Sequence, residues 1–141
     1  MTMPRILPLL AAALAAVACN APSGSAHMDT LLGTNWEATR IGTTPVNAPT
    51  PVTLAIADGQ VSGRSGCNLY SARVTLDNGR LTVAPILSSK MACLDNGAMQ
   101  VEASFLDALA AAERWAVGAD GSLEIAGRAG TILFRAAGSP R

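Results

Sequence analysis

The stretch Arg73-Val74-Thr75-Leu76, Asp77-Asn78-Gly79, Arg80-Leu81-Thr82-Val83-Ala84 decides the fold class. On both sides of the turn, apolar and polar residues alternate with the period of two that marks a half-buried strand. Asn78-Gly79 supplies the positive φ angles that a tight hairpin demands. Strands that follow each other through turns this short pair antiparallel, because a parallel neighbour needs a long crossover. Outward from this hairpin the pattern recurs. Leu32 to Ile41 (with Trp36), Val52 to Ile56 and Gln60 to Gly63 read as strands before it, turning at Asp58-Gly59. Arg114 to Val117, Leu123 to Ala126 and Thr131 to Arg135 read as strands after it, with turns at Asp120-Gly121 and around Gly127 to Gly130. Thr43 to Pro51 carries three prolines and no apolar run, so it is a loop.

Only one segment breaks this period. From Ala98 to Ala112 apolar residues fall at Val101, Phe105, Ala108, Leu109 and Ala112, one face of a helix, with Asp95 or Asn96 as its cap. Seven or eight short strands and one helix predict a mainly β, α+β fold. Its sheet is antiparallel and curls into a partial barrel, with the helix packed on it. The 141 residues leave room for one small domain. Trp36, Phe105, Trp115 and Phe134 are its expected large core members.

Met1 to Ala18 reads as an export leader: Arg5 is the positive start, Ile6 to Val17 the apolar run, and Ala16-Val17-Ala18 the small residues at a cleavage point. The run is shorter than the roughly 20 residues that span a bilayer. Cys19 follows directly, where a bacterial lipoprotein signal places its acylated cysteine. Plain secretion is the alternative. Residues 19–30 read as a flexible tether, since Asn20 to Ala26 are small and polar, and residues 31–137 as the domain. Asn20 in place of Asp favours the outer membrane, facing the periplasm, over the inner one. In that oxidising compartment Cys67 and Cys93 are expected to form a disulfide, stabilising by roughly 3 kcal/mol. A copper(I) site of Cys93, Met91 and Met99 is the rival reading, without a Cys-x-x-Cys to support it. Without the leader, nine basic residues face ten acidic ones. Such a balance, with no basic block, argues against nucleic acid as a partner.

Gly66-Cys67-Asn68, Tyr70-Ser71, Leu81, Met91-Ala92-Cys93 and the helix residues Glu102, Phe105, Leu106 and Leu109 together resemble the META domain, the HslJ-like family of bacterial envelope lipoproteins. The resemblance runs from about Leu32 to Arg135, and Trp36 fits it. Ala72, Val74 and Ser89 stand where the family usually has Gly, an aromatic residue and Thr. The resemblance implies a compact antiparallel β structure with one helix, an envelope location and a link to stress or antibiotic tolerance. It implies no enzymatic activity.

A scaffold reading accounts for the signature. Gly66 takes a conformation closed to other residues, Asn68 bonds nearby backbone, and Tyr70 buries its ring with its hydroxyl at the rim. The functional alternative is a binding surface built from Asn68, Tyr70, Ser71, Lys90 and Glu102. Nucleophilic catalysis lacks an oriented base, because the one histidine, His27, falls in the expected tether. No glycine-rich phosphate loop and no cofactor motif is present. The expected protein is therefore a monomeric, non-enzymatic lipoprotein, held to the membrane by its lipid, that contacts an envelope protein. The alternative is a barrel that holds a small hydrophobic ligand.

Overall fold

A computed structural model describes residues 24–138. The expected signal peptide and Cys19 lie outside the described residues. Ten strands form in chain order: β1 (Trp36–Ile41), β2 (Thr44–Pro45), β3 (Thr53–Ala57), β4 (Gln60–Arg64), β5 (Leu69–Asp77), β6 (Arg80–Val83), β7 (Leu87–Ser88), β8 (Ala112–Val117), β9 (Leu123–Gly127) and β10 (Gly130–Ala136). Helix α1 (Gly24–Gly33) precedes them, and α2 (Asn96–Ala110) lies between β7 and β8.

Eight of the strands follow the order β10-β9-β8-β6-β5-β4-β3-β1, and β1 pairs back onto β10. The sheet therefore closes into an antiparallel barrel, which removes the exposed edges of an open sheet. The other two strands, β2 and β7, are two-residue additions on β1 and β5. The deciding hairpin forms as read. Asp77 pairs with Arg80 and Leu76 with Leu81 across a turn in which Asn78 has φ 43° and Gly79 φ 80°. Asp58 and Gly59 make a second turn with two positive φ angles, 51° and 71°.

Alternation along each strand turns one set of side chains inward, such as Tyr70, Ala72 and Val74 on β5. Ala72, standing where the resembled family usually has Gly, continues the regular β4–β5 register opposite Val61. Side chains fill the interior, as expected for a small barrel. Phe105 from α2 stacks edge-on against Tyr70 and Phe134, with ring centroids 5.3 and 6.4 Å apart. Trp36, Phe105, Phe134 and Leu109 are fully buried, and Trp115 is 8% exposed.

One expectation needs correction. The tether read over 19–30 does not extend that far, because residues 24–33 form α1. Leu31 is fully buried, Met28 is half-buried against the core, and the Trp36 indole N–H donates to the Leu31 carbonyl at 3.2 Å. Two apolar residues three positions apart give a weak helical signal, and their burial in the barrel overrides the polar composition around them. His27 consequently lies on a helix, beside Asn78, Gly79 and Trp115.

Candidate functional site

β4 ends at Arg64, and the chain reverses through Ser65, Gly66 and Cys67 into β5. The Ser65 amide donates to the Asn68 carbonyl at 2.9 Å and closes the turn. Gly66 has φ +116°, and a Cβ there would sit 3.2 Å from the Ala98 carbonyl oxygen of α2. Only glycine meets both conditions, the backbone conformation and the close helix. The Asp95 carboxylate starts that helix, accepting from the amides of Gly97 and Ala98 at 2.7 and 3.2 Å.

On α2, Glu102 shares the inward face with Phe105 and Leu109, at the helical spacing that stacks side chains on one side. It is 7% exposed. One carboxylate oxygen accepts the Ser65 hydroxyl at 2.6 Å and the Asn68 amide N–H at 2.7 Å. The other accepts the Asn68 side-chain amide at 2.7 Å. The Asn68 side-chain oxygen in turn accepts from the Met91 amide at 2.8 Å and the Ser89 hydroxyl at 2.9 Å. Ser89 also accepts the Leu69 amide at 3.1 Å. The Cys67–Cys93 disulfide joins the same segments, with Cα atoms 6.0 Å apart.

Three stretches distant in sequence are thus tied around one buried carboxylate: the turn 65–68, the segment 89–93 and α2. Burial alone pushes the Glu102 carboxyl up. Donation from the Ser65 hydroxyl and from the Asn68 side chain and backbone, with a contribution from the Cys67 backbone, outweighs it and holds the group below its ordinary value. Charge-assisted bonds of this kind are roughly twice as strong as neutral ones. The site is built to keep a carboxylate ionised, and both of its oxygens accept from the protein's own donors.

The five residues expected to share one surface do not. Asn68, Tyr70 and Glu102 are buried, Ser71 is half-buried within β5, and Lys90 is exposed on the loop after β7. Asn68 and Glu102 meet directly and form the floor of an open cleft of about 320 Å³, with Lys90, Met91, Met99 and Leu106 around it. Tyr70 belongs to the barrel interior. Its hydroxyl donates to the Thr53 carbonyl at 2.8 Å, and burial pushes the phenol far above its ordinary value. Ser65 and Ser89 complete the network without having been singled out as site residues. Their signal in the sequence was adjacency to Gly66 and to Met91-Ala92-Cys93, which is too general to identify them alone. Among the described residues no cluster of three His, Cys, Asp or Glu side chains could hold a metal. Cys93 is engaged in the disulfide, which takes its thiolate away from a copper(I) site with Met91 and Met99.

A comparison with curated proteins gave no match. Two solved NMR structures share the fold. One superimposes with a TM-score of 0.64 at 21% identity, covering 77% of this chain and 93% of its own. The other, from Burkholderia xenovorans, has a TM-score of 0.61 at 24% identity and covers 94% of this chain and 100% of its own. The family model of the META domain, which is not a known enzyme family, matches residues 29–139. With its glycine–cysteine–asparagine turn locked onto a helix carboxylate, the chain belongs to the META domain family.

Proposed function

We propose that the protein is a non-enzymatic envelope lipoprotein, anchored through an acylated Cys19 on the periplasmic side of the outer membrane, that works by contacting another envelope protein. The stress- or antibiotic-tolerance setting implied by the family resemblance suits such a role. One observation carries the reading. Of the six large apolar side chains exposed among the described residues, Leu69, Leu87, Met91, Leu94 and Met99 gather around the signature turn and the start of α2. Apolar surface concentrated in one place favours protein contact, whereas singly scattered residues would need no explanation.

A hydrophobic-ligand barrel is the weaker reading, because the interior is occupied by Trp36, Phe105, Phe134 and their neighbours. Native mass spectrometry of the protein extracted from its own membrane in mild detergent tests both. The expected species carries acyl chains on Cys19 and is associated with a second protein. A paired Met91→Ser, Leu94→Ser variant, with unchanged thermal midpoint, is expected to be found alone. A monomer retaining a discrete lipid or metabolite would establish the ligand reading instead.

A further inference from the structure

The barrel has two unlike ends. At one, α1 lies beside the Asn78–Gly79 turn and the last residues of β8. Both described termini emerge there, since Trp36 next to α1 pairs with Ala136 at the end of β10. This end carries charges of both signs, with exposed Asp29, Asp58, Asp77 and Asp120 beside Arg73, Arg80 and Arg114. At the other end are the signature turn, the segment 89–95, the start of α2 and the exposed apolar cluster.

The link from Cys19 to α1, residues 19–23, extends to at most about 17 Å. The nine residues of β5 alone span about 30 Å. An acyl group on Cys19 therefore ties the α1 end to the bilayer, and the apolar cluster lies at the end of the barrel farther from that link.

We propose that the signature end docks an extended segment of a partner protein that carries an apolar side chain next to a carboxylate. This rests on the contact-lipoprotein reading above and adds the face and the chemistry of the partner. The cleft of about 320 Å³ between residues 88–92 and α2 has Met91, Met99 and Leu106 on its sides. Methionine adapts its shape to what it meets. The polar floor atoms of Asn68 and Glu102 are already bonded within the protein. What remains to be satisfied is apolar area and one charge: Lys90 at the rim is exposed and has no ion pair among the described residues. Its complement is a carboxylate. The backbone contributes too, because among the described residues β7 pairs with β5 alone, which leaves its second edge for an extended strand. A second copy fits worse. A two-fold contact centred on the cleft brings the two Lys90 together.

The test is photocrosslinking in the native envelope with the full-length chain, placing benzoylphenylalanine at Leu94 or, as the opposite-end control, at Leu32. Both positions are exposed. The expected result is an adduct from position 94 and not from 32. Its crosslinked peptide, sequenced by mass spectrometry, comes from one protein and contains an apolar residue beside Asp or Glu. Lys90→Glu is expected to lower the adduct yield about tenfold, with an unchanged thermal midpoint showing that the fold is intact. A position-94 adduct on phospholipid, on a second copy, or on a segment without a carboxylate overturns the proposal. Protein adducts from position 32 alone overturn it while leaving the contact reading standing. No protein adduct from either end removes both.

Discussion

Glu102 concentrates the chemistry of this protein in one side chain. A buried carboxylate without a cation is tolerated only because Ser65 and Asn68 supply donors to both of its oxygens. Glu102→Gln keeps the volume but substitutes an amide that turns N–H groups toward existing donors. The expected loss is about 2–3 kcal/mol, read from urea denaturation at neutral pH. The pH dependence has a definite sign. The folded carboxyl sits below its ordinary value of 4.5, so its contribution is fully present above pH 4.5 and is lost as the pH falls through the folded value. The difference in stability between wild type and Glu102→Gln should therefore shrink on acidification below that point. A difference that holds constant into acid would show that the carboxylate charge is not what Ser65 and Asn68 recognise. In sequence, Glu102 stood out as a helix residue of the family resemblance, and Asn68 as part of the signature. Both were expected on one surface, but their direct bonding in a buried network was not legible, since hydrogen bonds between residues 34 positions apart leave no periodicity.

Among the elements, those whose signals are local came through. The Asn78–Gly79 hairpin and the Asp95-capped helix each declare themselves within a few residues, because turn angles and caps are satisfied by immediate neighbours. Asp95→Ala should cost about 1 kcal/mol by leaving the amides of Gly97 and Ala98 without their acceptor. Gly79→Ala should cost about 1 kcal/mol through its φ of 80°. Thermal unfolding of the two single variants and the double would show near-additive losses, as expected for sites that share no partner. A strong coupling between them would mean that hairpin and helix cap unfold as one local unit. Closure of the barrel was less legible. The β1–β10 pairing joins the two ends of the domain, and nothing within either strand names its distant partner. α1 was misread for a related reason: its stabilisation comes from the barrel end that it covers and hardly at all from its own residues.

At the scale of the whole molecule, both barrel ends are secured, by different means. The signature end is stapled by a disulfide whose cysteines are 26 residues apart, so Cys67→Ser with Cys93→Ser should cost about 3–4 kcal/mol in the chain-entropy account. The α1 end has no covalent staple among the described residues and is held by packing and the Trp36–Leu31 hydrogen bond. Leu31 is fully buried there, whereas its neighbour Leu32 is 44% exposed. Leu31→Ala is expected to destabilise the domain by about 3 kcal/mol, and Leu32→Ala by less than about 0.5 kcal/mol, both followed by urea denaturation with tryptophan fluorescence. The contrast bears on more than stability. If α1 is part of the cooperative unit, the midpoint moves for Leu31→Ala with the slope unchanged, and the chain between Cys19 and the folded domain is only residues 19–23. If Leu31→Ala leaves the midpoint where it was, α1 is not docked in solution. The link proposed to carry the Cys19 anchor then lengthens by the ten residues of the helix. Under the proposed anchoring, the length of the link to the barrel thus depends on the docking of Leu31.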